Sequence, residues 1–165
     1  MVCVSPTLGA ADSKKELGDD HDSPAAESLD WSDLSIALGP HLRVGDLLHF
    51  DRRRAMAAHR FEKSLHHLAF SYNALVEAWG GPVRITSAFC PEPFSRALGR
   101  PEGCLHATGM ALDLVPLDSP LIGFHRWLKK RWSGGLILHS HSVHIDIRNK
   151  GRFAKTANTR PSVMW

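Results

Sequence analysis

Between Arg54 and Trp79 the apolar residues Phe61, Leu65, Leu68, Tyr72, Leu75, Val76 and Trp79 recur at steps of three and four. That spacing lays one stripe along a helix, because side chains three and four apart share a face. Gly80-Gly81-Pro82 follows, a glycine cap and a residue that cannot continue the helix. Val83-Arg-Ile-Thr-Ser87 alternates and is β-branched, which predicts a strand. Residues 88–103 hold three prolines and two glycines and predict a long surface loop. A second strand is expected around 110–115. A helix is expected over Pro120–Trp132, with Ile122, Phe124, Trp127 and Leu128 in the core. Short strands are expected over 136–138 and 142–147, paired with each other or with 110–115. Ahead of the long helix, 38–50 reads as an irregular lead-in with one helical turn. The pattern predicts an α+β domain, a small antiparallel sheet packed against helices.

Composition adds a boundary. Residues 1–30 carry seven acids and two lysines, a local charge of −5, whereas the other 135 carry 18 bases and 10 acids, or +8. The opening segment is poor in large apolar residues and cannot offset its ordering entropy by burial. It is therefore expected to be a disordered acidic tail over 1–28, followed by a single domain over 29–165, with Val163-Met-Trp165 tucking back onto it. No apolar run approaches the roughly 20 residues that span a bilayer. Met1-Val-Cys-Val runs straight into Ser5-Pro6 without a signal peptide's basic start and apolar core. The +8 is dispersed, with no aromatic–basic interleaving, so neither nucleic acid nor a membrane is an expected partner.

The chemistry lies in the histidines, of which there are 11 against one tyrosine. His21, His41, His49, His59, His66, His67 and His125 fall outside the segments of interest and need no special explanation. His106 and Asp113 are seven apart with Gly109 between them, suiting a loop ligand followed by a strand ligand. The cluster His139-Ser-His141-Ser-Val-His144-Ile-Asp146 can supply a third. In a strand His144 and Asp146 share one face while Val143, Ile145 and Ile147 take the other. Zinc accepts such imidazole and carboxylate donors, and hydrolytic sites keep three protein ligands and an open fourth position.

These segments carry a resemblance. Thr86-Ser-Ala-Phe, Ser95-Arg-Ala-Leu-Gly, His106-Ala-Thr-Gly-Met-Ala-Leu-Asp113 and Val143-His-Ile-Asp resemble the M15 zinc peptidases, the D-alanyl-D-alanine carboxypeptidase, endolysin and hedgehog-like group. The likeness runs from about Leu42 to Ile147, and His-x-x-Gly-x-Ala-x-Asp is its specific part. It implies zinc as cofactor, His106, Asp113 and His144 as ligands, and hydrolysis of a peptide bond in peptidoglycan stem peptides by a monomer. The general base of the family lies shortly before the third ligand, which implies His141 first and His139 second. Asp146 is a weaker candidate for that role, and otherwise a carboxylate that orients a ligand histidine.

Two positions depart from the family. Its substrate-holding arginine is replaced within Ala88-Phe89-Cys90, and the serine of Ser-x-His is Cys104. Ser87 and Arg96 are the expected substrate-binding residues, with Arg84 and Arg100 as other sources of the charge. Cys90 and Cys104 have three readings: a disulfide across the rim, two inert thiols, or Cys104 as a fourth zinc ligand. The last makes a non-catalytic zinc module of the same fold. A catalytic protein acts on the cell wall, and the module stays in the cytoplasm.

Overall fold

The computed structural model describes residues 28–148. The tail expected over 1–28, apart from Ser28, and the expected return of Val163–Trp165 lie outside them. The lead-in forms its helical turn as α1 (Val44–Leu48), then a 3-10 turn at Arg52–Arg54, α2 (Ala55–Ala58) and a second 3-10 turn at His59–Phe61. The long helix α3 runs over Glu62–Trp79. The single helix expected from Arg54 is thus broken at Phe61, whose φ of −118° and ψ of 18° leave the helical region. Phe61 packs instead on Phe89, with ring centroids 5.8 Å apart. From there the apolar stripe behaves as its spacing predicts: Leu65, Leu68, Tyr72, Leu75, Val76 and Trp79 are all buried. Gly80 ends the helix at φ 71°, donating its N–H to Val76.

β1 covers Val83–Ser87, the span expected. The segment after it is not a surface loop at its start. Ala88, Phe89 and Cys90 are buried, and a short helix α4 (Phe94–Ala97) follows. The proline and glycine content that predicted a loop belongs to 91–103, whereas the three residues before it are apolar or thiol and join the core. A 3-10 turn at Leu105–Thr108 leads into β2 (Ala111–Pro116), then α5 (Leu121–Lys129), β3 (Leu136–Leu138) and β4 (Val143–Asp146). Phe124, Trp127 and Leu128 are buried as expected, but Ile122 is exposed. At 100° per residue Ile122 stands 200° from Phe124, so both cannot face the core.

The sheet is antiparallel in the order β1-β2-β4-β3. Leu112, Leu114, Val143 and Ile145 form its buried face and join one apolar cluster with the stripe of α3 and with α5. Trp79 is the hub, meeting Phe124 at 4.9 Å and Trp127 at 5.0 Å in edge-on contacts. Such aromatic pairs contribute about 0.5–1.5 kcal/mol beyond their buried area. One face of the sheet is therefore committed to stability, and the other is free to carry polar groups.

Tyr72 ties helix to sheet by donating its hydroxyl to the Val83 carbonyl at 2.8 Å. Burial, assisted by the charge of Asp46, pushes its phenol up to about 12. A folded-state value above the unfolded one gives stability that is whole below about pH 10 and lost as pH rises through about 12. The loss amounts to roughly 3 kcal/mol. As Tyr72 is the chain's one tyrosine, tyrosinate absorbance reports this group alone. A midpoint near pH 10 in the folded protein would contradict the assignment.

Candidate metal centre

The strand register sets a row of polar residues on the open face. Asp113 of β2 pairs with His144 of β4, and Ile137 of β3 pairs with His144 from the other side. On the outer side Ser87 pairs with Asp113, but only because the ladder slips between Ile85 and Ser87. That irregularity places Ser87, not Thr86, opposite the carboxylate, a re-aiming typical of bulges beside functional sites. Thr86 instead donates its hydroxyl to the Asp113 carbonyl at 3.1 Å.

His106 reaches the same spot from the 3-10 turn before β2. The turn closes on Gly109 at φ 67°, and a Cβ there would meet Leu65 Cδ2 at 2.8 Å. Glycine is required on both counts, for the left-handed backbone and for the close approach to α3. His106 Nδ1 lies 3.0 Å from the Ala88 carbonyl, which only an N–H can satisfy. Nε2 is thereby the ring nitrogen turned to the site, 3.4 Å from Asp113 Oδ1, where it can offer a lone pair once its proton is displaced by a metal. His144 Nδ1 is 2.8 Å from the same oxygen. The donor atoms of His106, Asp113 and His144 all fall within 4.8 Å of one another, and the three side chains are buried or nearly so.

The electrostatics fit a cation between them. Burial alone pushes the Asp113 carboxyl up, yet hydrogen bonds and charge from His106 and His144 outweigh it and hold the group well below the usual carboxylate range. Two imidazoles and one ionised carboxylate form the donor set that zinc takes. A ligand histidine whose far nitrogen is fixed by a carbonyl is the usual outer-layer arrangement.

The other candidates divide. His139 and Ser142 close the β3–β4 hairpin through an N–H···O bond of 2.9 Å, leaving Ser140 and His141 as its tip. His139 is two residues beyond Ile137 and so shares the face of His144. Its ring centroid is 6.1 Å from that of His144. His141 is exposed at the turn. Asp146 is fully buried, with Oδ2 3.9 Å from His144 Nε2, and it receives the Gly135 and Arg148 amides and the Arg148 guanidinium. Arg96 is 81% exposed and lies 3.9 Å from Glu92, and Arg84 is also exposed. Arg100 is the arginine that comes to Ser87, donating to its hydroxyl at 2.8 Å. Its other terminal nitrogen, Nη1, is buried without a partner.

Cys90 and Cys104 are both free thiols, which excludes the disulfide, and neither belongs to the donor group. Two further residues touch the site and went unnoticed in the sequence. His49 accepts the Ala88 amide on Nε2 at 2.9 Å, and Arg54 donates to the Phe89 carbonyl at 2.7 Å.

The Peptidase M15 family model matches residues 45–147, which include the whole donor group. The chain belongs to the M15 peptidase family. No curated protein and no solved structure matches it. As an M15 peptidase it is a peptide hydrolase, and among the described residues His106, Asp113 and His144 form a group that could hold a metal ion. No helix among the described residues is long and apolar enough to cross a membrane.

Proposed function

We propose that the protein is a zinc-dependent peptidase, acting as a monomer, that cleaves a peptide bond in peptidoglycan stem peptides as a DD-carboxypeptidase or endopeptidase. Its fold is then that of the DD-peptidases and hedgehog domains. The observation that carries this reading is the convergence of three donor atoms from a turn and two strands within 4.8 Å. Zinc held there supplies a Lewis acid and lowers the pKa of bound water toward about 7.

The chain's own residues do the rest. His139, on the open face beside His144, takes the proton of the attacking water and returns it to the leaving amine. Ser87 and Arg100 lie at the opposite end of the row and bind the substrate's carbonyl or carboxylate. This arrangement supplies from Arg100 the cation that the family carries where Cys90 stands. Cys104 lies outside the donor group, which speaks against a closed, non-catalytic zinc module.

Purified protein should contain about one zinc per chain. It should release D-alanine or shortened cross-links from peptidoglycan, read by mass spectrometry of the digest. Arg100→Ala should raise KM by about 10–100-fold, the value of a charged hydrogen bond, with kcat little changed. Zinc-loaded protein that leaves every muropeptide intact would defeat the peptidoglycan reading.

A further inference from the structure

His49 lies on no strand of the site and is exposed at the surface. Its backbone is nonetheless unusual. His49 at φ 51° and Phe50 at φ 54° are consecutive non-glycine residues in the left-handed region. Each costs roughly 1–2 kcal/mol against ordinary backbone. Such conformations persist where surrounding contacts impose them, and they concentrate at functional sites. At His49 the contact is the imidazole itself: Nε2 reaches in to accept the Ala88 N–H at 2.9 Å.

Ala88 is the residue whose carbonyl fixes His106, at 3.0 Å from Nδ1. The segment that holds that carbonyl is braced along its length. The Phe89 amide donates to Leu47 O at 3.1 Å, the Phe89 carbonyl accepts from Arg54 at 2.7 Å, and the Cys90 amide donates to His106 O at 2.9 Å. Two of those braces, like the His49 bond, come from the Leu47–Arg54 segment, and only the His49 one fixes the amide side of Ala88 itself. Ala88, Phe89 and Cys90 are all buried, so the stretch that carries the carbonyl fixing His106 is held within the core.

We propose that His49 is a positioning residue for the metal centre: by holding the Ala88 amide it fixes the carbonyl that turns His106 Nε2 toward Asp113. The inference rests on the metal reading above. Partial desolvation of the ring, followed by the charges of Arg54, Arg100 and His106, pushes the His49 imidazole below its ordinary pKa. A neutral ring with Nδ1–H and a bare Nε2 is the form that accepts an amide.

Zinc affinity of the full chain, measured by chelator competition, tests this with two variants. His49→Gly keeps the left-handed turn without steric penalty and opens no core cavity, so the protein folds. It should bind zinc about 10–100-fold more weakly than wild type, the usual effect of losing an outer support. His49→Gln places an amide oxygen near the position of Nε2 and should recover most of that loss, which a purely structural role for the ring does not predict. Long-range nitrogen–proton spectra of the wild type should show the Nδ1–H tautomer at His49. Glycine-variant affinity within twofold of wild type, a glutamine variant no tighter than glycine, or an Nε2–H tautomer each overturns the proposal. Wild-type protein that takes up no zinc overturns the metal reading instead, and this role with it.

Discussion

Asp113→Asn is expected to strip the protein of both metal and turnover. The carboxylate stands at the middle of the row, 2.8 Å from His144 Nδ1 and 3.4 Å from His106 Nε2, so each histidine is aimed at it. It is the only anion in the donor group, and asparagine keeps its shape while removing its charge. Two neutral imidazoles and an amide then face a divalent cation with no compensating charge. Zinc affinity should fall by more than the roughly 10–100-fold of an outer-layer change. The Lewis acid is worth several kcal/mol of transition-state stabilisation, so kcat/KM at a fixed zinc concentration should fall by about a thousandfold or more. The two readouts guard each other, because metal analysis is independent of any substrate. The variant leaves the apolar face untouched: Leu112 and Leu114 point the other way from Asp113 and stay packed. A variant that keeps one zinc and its turnover would remove Asp113 from the site.

What was legible in the sequence follows from period and local chemistry. The two-residue alternation of Val83–Ser87 and Val143–Asp146 marks strands, and the three- and four-residue steps of α3 mark a buried stripe, because those periods are set by backbone geometry. The His106–Asp113 spacing survives for the same reason, since a turn capped by Gly109 delivers one ligand and the following strand the next. What was not legible runs through backbone atoms. His49 and Arg54 act on amides and carbonyls at 88–89, and no side-chain pattern records which peptide group another residue will meet. Arg100 was one of three arginines open to the same role, and chain direction through α4, not spacing, brings it to Ser87 while Arg96 turns outward. The bulge after Ile85 likewise shifts a face without any mark in the sequence.

Nearness in sequence to the third ligand favours His141 as general base, while the hairpin favours His139, and kinetics should separate them. The bond from the His139 amide to Ser142 confines the turn to Ser140 and His141, so His141 belongs to the tip and not to the pleat. His139 keeps the strand alternation and stands over the same face as His144, ring centroids 6.1 Å apart. A proton acceptor has to reach the water beside the metal, and of the two only His139 directly adjoins β3 and is tied by its amide to the strand that carries His144. His139→Ala should therefore lower kcat by about 100–10,000-fold, the contribution of a placed general base. It should leave zinc content at the wild-type level, as His139 lies outside the donor group. His141→Ala should stay within about tenfold of wild type, the effect of altering an exposed turn residue. The reverse order of effects, with zinc still bound in both, would return the role to His141 and require the turn to fold over the site in the substrate complex.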